Sequence, residues 1–139
     1  MPHSTKIILV ETTAGIDVLD ITEKVQTVVA DGDIKNGQLC VFIGGSTGSI
    51  TTIEHEPGVI EDFLQTLEKI APKDAEYEHN KAWQDGNAYS HILAAMLGPS
   101  TVFPIEDGRI PLGTWQQIVL VDLHNKGRQR KVMLNMIGE

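Results

Sequence analysis

Residues 115–123 read WQQIVLVDL. The second half of this run is apolar at consecutive positions, so a strand built from it has two apolar faces. In an antiparallel sheet one face is commonly solvated, and two apolar faces require cover on both sides. A helix can supply one cover. In so small a domain, a second subunit is a natural supplier of the other.

The remaining elements follow from periodicity. Residues 5–12 read as a strand and 15–20 as a short second one. Ile21, Val25, Val28 and Val29 then fall at i, i+4, i+7 and i+8, one helical face, with Thr22 as the expected N-cap and Asp31-Gly32 as the stop. GQLCVFIGG and GSITTIEHE read as strands flanking GGSTGS. In PGVIEDFLQTLEKIAP, Pro57 suits a first helical position, Ile60, Phe63, Leu64, Leu67 and Ile70 form a stripe, and Pro72 ends it. DGNAYSHILAAMLG reads as a further helix with Asp85 as N-cap and Gly98 just past its end. STVFPI, an EDG turn, TWQQIVLVDL, HNKGR and KVMLNMIG complete a β-rich second half. No internal repeat, low-complexity stretch or linker interrupts the chain, so residues 1–139 are read as a single domain.

Composition narrows the partners. The formal net charge of −8 repels nucleic-acid phosphates and anionic membranes, which argues against both. A single cysteine, Cys40 in LCVFI, excludes a disulfide within the chain and is expected to be a buried strand residue in a reducing compartment. The apolar run near the start is too short for a signal peptide, and no stretch reaches the length of a membrane span. A cytoplasmic location is expected.

The densest chemistry lies in HNKAWQDGNAYSHI, residues 79–92. If the helix begins near Gly86, Asn87 and His91 share a face, and the small Ala94 and Ala95 continue near it, leaving room for a ligand. His79 lies upstream in a presumptive loop or strand end. His79 and His91 as neutral nitrogen ligands, with a carboxylate from Asp85 or Glu54, would suit zinc or a similar divalent ion with one position open to water. The same residues equally fit an ordinary helix start, in which Asp85 caps and His91 donates to a nearby carbonyl. Three further features carry similar alternatives. GGSTGS, residues 44–49, is an anion nest or a glycine-rich turn. Arg128 and Arg130 share a strand face and can fork onto a phosphate or pair with the chain's own acids. Glu54 and Glu56 can hold a cation or lead into the following helix.

Taken together, YEHNKAWQDGNAYSHILAAMLGPS, PIEDGRIPLGTWQQIVLVD and RQRKVMLNMIGE resemble the YjbQ-like family over nearly the whole chain. The resemblance implies an α+β fold of antiparallel sheets in a sandwich-like arrangement with about three helices, assembled as a homotrimer. It implies a pocket near a subunit boundary that gathers His79, Asp85, Asn87 and His91 with the Ser46–Thr47 loop, Glu54 and Arg130. His79, His91, Asp85 and Asn87 are the expected catalytic residues, and Ser46, Thr47, Arg128 and Arg130 are expected to hold a small phosphorylated substrate. On the metal reading of the histidines, the expected ligands of a divalent ion, zinc or magnesium, are His79 and His91 with Asp85 or Glu54. The activity implied is that of a secondary thiamine-phosphate synthase, which joins an aminopyrimidine methyl diphosphate to a thiazole phosphate. A metal-dependent hydrolase using His79 and His91, or a binding trimer without turnover, are the competing expectations. One departure stands out: where many members carry HTTA, this chain has GSTG, so Gly45 aligns with that histidine, while Thr47 and Glu54 match.

Overall fold

A computed structural model describes residues 2–139. In chain order its elements are β1 (His3–Glu11), β2 (Asp17–Asp20), α1 (Thr22–Asp31), β3 (Gly37–Ile43), β4 (Gly48–Ile53), α2 (Pro57–Ile70), α3 (Glu78–Trp83), α4 (Ala88–Leu97), β5 (Ser100–Ile105), β6 (Gln117–Asp122) and β7 (Gln129–Gly138). The strands form two antiparallel sheets, one of order β1-β7-β3-β5 and one of order β2-β6-β4. The fold is therefore α+β with four helices among the described residues, one more than the sequence suggests.

The two-faced strand is β6, at the centre of the three-stranded sheet. Ile118 and Leu120 pack into the core between the sheets, with Leu39 and Val41 of β3 and Leu134 of β7. Val119, Val121 and Leu123 face the other way, against Leu67 of α2 and Tyr89 and Leu93 of α4. Ile118, Val119, Leu120 and Val121 are each 0% exposed, and burying such a side chain contributes about 1.5–3 kcal/mol. The layers run sheet, sheet, helices, all from one chain. The second subunit expected to cover β6 is not needed there, because the β1-β7-β3-β5 sheet takes that place.

Capping corrects several boundaries. Ile21 occupies the N-cap of α1, and Thr22 is the first helical residue. The Thr22 hydroxyl accepts from the Ile118 amide at 2.8 Å, stitching α1 to β6. Strand β4 ends at Ile53, so Glu54 and Glu56 do not alternate along it. Glu56 instead caps α2, accepting from the Gly58 amide at 2.8 Å and the Val59 amide at 2.9 Å. Those two backbone donors hold its carboxyl below the ordinary carboxylate range.

The outer face of the four-stranded sheet is apolar and open. Along β7 exposed and buried residues alternate without interruption. Ile7, Met133 and Phe42 lie side by side across β1, β7 and β3, and all three are exposed, as are Leu9, Val102 and Ile137. Cys40 points to this same outer face and is half-buried, not enclosed, because β3 turns its odd-numbered side chains inward. No helix of the described residues is long and apolar enough to cross a membrane.

Candidate functional site

The α3–α4 corner builds the cluster. Helix α3 ends at Gln84, which adopts the left-handed conformation at φ 57°, and Gly86 follows at φ 69°. Two such residues in three reverse the chain within a few positions, and glycine at the second avoids the strain that a Cβ would bring. The reversal lays α3 back beside the start of α4. Asn87, not Asp85, is the N-cap residue, and its side chain makes no capping bond. The side-chain oxygen of Asn80 in α3 accepts from the Ala88 amide at 3.1 Å and does the capping across the corner. From the other side, the Asn125 amide donates to the Asp85 carbonyl at 3.0 Å.

His79 and His91 therefore meet. Their ring centroids are 4.8 Å apart and the rings are nearly perpendicular, at 76°. His91 Nδ1 lies 3.1 Å from the Ser46 carbonyl oxygen. A carbonyl only accepts, so Nδ1 carries the proton, and in the neutral ring the free lone pair is on Nε2. Nε2 of His91 has no hydrogen-bond partner among the described residues.

His79 is set by a different pair. Its Nε2 lies 3.1 Å from the side-chain amide of Asn87 and 3.5 Å from Oδ1 of Asp85. Donor–acceptor matching fixes the Asn87 amide with its nitrogen toward Asp85, at 2.8 and 3.1 Å from the two carboxylate oxygens. Asn87 is buried at 8% exposure, whereas His79 and Asp85 remain in reach of solvent at 36% and 45% of their side-chain area. In that orientation the Asn87 nitrogen faces His79 Nε2 as well as the carboxylate, so Asn87 holds both side chains in place.

His91, Ser46, Gly45 and Gly48 line a cavity of about 200 Å³ closed by Ala94 and Ala95. The small residues leave the floor of the cavity open, as their spacing suggested. The β3–β4 loop that supplies the other wall is pinned from within. Arg130, 3% exposed, donates from Nη2 to Asp122 Oδ1 at 2.7 Å, to the Thr47 hydroxyl at 2.8 Å and to the Thr47 carbonyl at 3.3 Å. The Leu123 amide donates to that same carbonyl at 2.9 Å.

The structure thus unites His79, Asp85, Asn87, His91 and Ser46. It uses Thr47 and Arg130 to brace the loop, the Thr47 hydroxyl accepting from Arg130. Arg128 is exposed and lies just before β7, so it does not share the buried face of Arg130. Glu54 stands beyond the far end of β4, on the order of 20 Å along the strand from Gly48. There it borders a second cavity of about 390 Å³ with His55, Glu56 and Trp115. Among the described residues no three His, Cys, Asp or Glu side chains converge as metal ligands. The ligand set His79, His91, Asp85 and Glu54 is therefore not assembled within one chain, and the residues present do not fit a three-ligand zinc site.

Sequence reasoning missed Asn80, Asp122 and helix α3. Asp122 had a signal: an acid on the inward face of a two-faced apolar strand needs a buried partner, and Arg130 was the available one.

The sequence model of the family described as UPF0047 protein YjbQ-like matches residues 6–139. A UPF0047 protein of Methanothermobacter thermautotrophicus is 37% identical over 92% of this chain and 87% of its own. One from Archaeoglobus fulgidus is 33% identical over 91% and 96%. In three dimensions the chain superposes on a YbjQ-like protein of unknown function from Sulfolobus solfataricus with a TM-score of 0.94, at 34% identity over 99% of both chains. A hypothetical protein from Aeropyrum pernix gives 0.89, at 33% identity over 98% and 99%. The names of these relatives specify a family and no reaction. The chain belongs to the YjbQ-like UPF0047 family.

Proposed function

We propose that the His79–Asp85–Asn87–His91 cluster is a proton-transfer centre of an enzyme acting on a small phosphorylated molecule. The observation that carries this reading is His91: its Nδ1–H is anchored on the Ser46 carbonyl while Nε2 is uncommitted in a ring that lines a cavity. A second imidazole backed by a carboxylate stands beside it. One ring can take a proton as the other gives one.

The reaction to test first is the one implied by the sequence resemblance. In it the bond between the pyrimidine methylene carbon and the diphosphate oxygen breaks, and a bond to the thiazole nitrogen forms. Pyrophosphate leaves with the electron pair. Its developing charge needs a proton or a cation, and a protonated imidazole supplies the first. The cavity of about 200 Å³ is below the usual 300–1,000 Å³ of a ligand pocket. A homotrimer would add walls to it. The open apolar face around Phe42 and Met133 is the surface we assign to that assembly, since a patch of this kind otherwise stays in water.

The test is pyrophosphate release from the two substrates by the wild-type protein, His91→Gln and His79→Gln. General acid–base catalysis contributes on the order of 10²–10⁴-fold, so each variant should lose at least about 100-fold in kcat while remaining folded. Equal turnover in wild type and both variants would remove the cluster from the chemistry. Turnover confined to a different phosphorylated substrate, with the same loss in the variants, would keep the centre and replace the reaction.

A further inference from the structure

Beside the β3–β4 loop lies a further cavity, of about 240 Å³, lined by Ile43, Gly44, Arg128, Gln129, Arg130 and Lys131. We propose that it is an anion site, and that it takes a phosphate or diphosphate group.

The first ground is the unused hydrogen-bonding capacity of Arg130. All of its hydrogen bonds leave from Nη2. Its Nε is buried without any acceptor, and Nη1 has none among the described residues. A buried donor of a charged group is costly to leave unsatisfied, and native structures pair the great majority of such groups. Arg130 is 97% enclosed and yet borders the cavity. A planar guanidinium braced through Nη2, with Nη1 unpaired, presents a fixed donor to an oxyanion.

The loop above it is the second ground. Gly44 lines the cavity, and Gly45 beside it sits at φ 103°, where glycine is favoured. A Cβ at Gly45 would lie 3.7 Å from Nη1, so the approach to that nitrogen is across bare backbone.

Charge is the third. Asp122 balances Arg130 in the interior, so Arg128 and Lys131 at the rim add two uncompensated positive charges. Glu11, on the neighbouring strand, is the nearest competitor by register, and its carboxylate accepts from the Gln129 amide at 2.8 Å. This basic lining stands in a chain whose net charge is −8. Gly44 of this lining and Ser46, whose carbonyl holds His91, belong to the same loop, which links the anion site to the proton-transfer centre. The inference deepens the reading of a phosphorylated substrate, and anion binding as such does not depend on turnover.

The experiment titrates inorganic phosphate and then pyrophosphate into the full chain by calorimetry, at constant ionic strength set with sodium chloride. Wild type, Arg128→Gln/Lys131→Gln and His91→Gln are compared. Arg130 itself is left intact because its removal threatens the fold, whereas the two rim residues are exposed. Saturable heat in the wild type, weakened about tenfold or more in the rim double variant and unchanged in His91→Gln, is the expected result. No saturable heat up to about 20 mM of either anion, or equal affinity in the rim variant, overturns the site. If phosphate binds as expected while turnover is indifferent to His91, the catalytic reading fails and the anion site stands.

Discussion

The Asp122–Arg130 pair makes the sharpest energetic prediction. Both side chains are out of solvent, at 0% and 3% exposure, and they meet at 2.7 Å. Replacing Asp122 by Leu leaves a buried guanidinium without its counter-charge. Replacing Arg130 by Met does the same to the carboxylate. Breaking a buried pair from one side costs about 3–5 kcal/mol. Unfolding entropy of about 2.1 cal/mol/K per residue gives roughly 0.3 kcal/mol/K for 139 residues. Each single variant should therefore lose about 10–17 °C in Tm. The double variant, Asp122→Leu with Arg130→Met, removes both charges and fills the space with apolar groups. Beyond the pair itself it gives up the two bonds to Thr47 and the bond from the His124 amide to Asp122 Oδ1, so it should recover to within about 3 kcal/mol of wild type. Urea denaturation at one fixed protein concentration measures this, since self-association would otherwise shift the midpoint. Single variants costing under about 1 kcal/mol, or additive losses in the double variant, would refute the claim that this pair is desolvated and coupled.

Two further outcomes are expected. The carboxyl of Glu56 is held below its ordinary value by the Gly58 and Val59 amides, so its contribution is present above the unfolded carboxylate range and fades as pH falls through the depressed folded value. Glu56→Gln should flatten the fall in Tm between pH 6 and pH 3, by calorimetry, and parallel acid slopes for both proteins would contradict it. Phe42→Glu, placed in the row with Ile7 and Met133, should shift the proposed trimer toward monomer in light scattering after gel filtration. An unchanged mass would move the interface elsewhere.

Most elements were legible because their patterns were long, while the α+β class came with the family resemblance. The stripe on α2 and the alternation along β7 each repeat over several turns or pairs, so neighbouring errors cancel. Helix α3 was not legible: six residues, EHNKAW, bury no side chain fully and lack a capping side chain, so neither period nor cap marks it. Its existence depends on the corner that Gln84 and Gly86 make and on Asn80 reaching Ala88, which are tertiary facts. The cover of β6 was misassigned for a related reason. Periodicity states that a face is apolar and is silent on what faces it, and here the second sheet took the place given to another subunit. His79 and His91 were identified as residue types; their meeting required α3. Glu54 was placed on a strand that ends one residue earlier, and β4 carries it away from the histidines.

The central claim is that His91 presents Nε2 to a ligand, and a crystal soaked with thiazole phosphate tests it most directly. The account predicts ligand density within hydrogen-bonding distance of His91 Nε2, with the Nδ1 bond to Ser46 kept and His79 still packed against the ring. Ligand bound only elsewhere on the chain, or His91 Nε2 turned into a protein acceptor of its own, would contradict it.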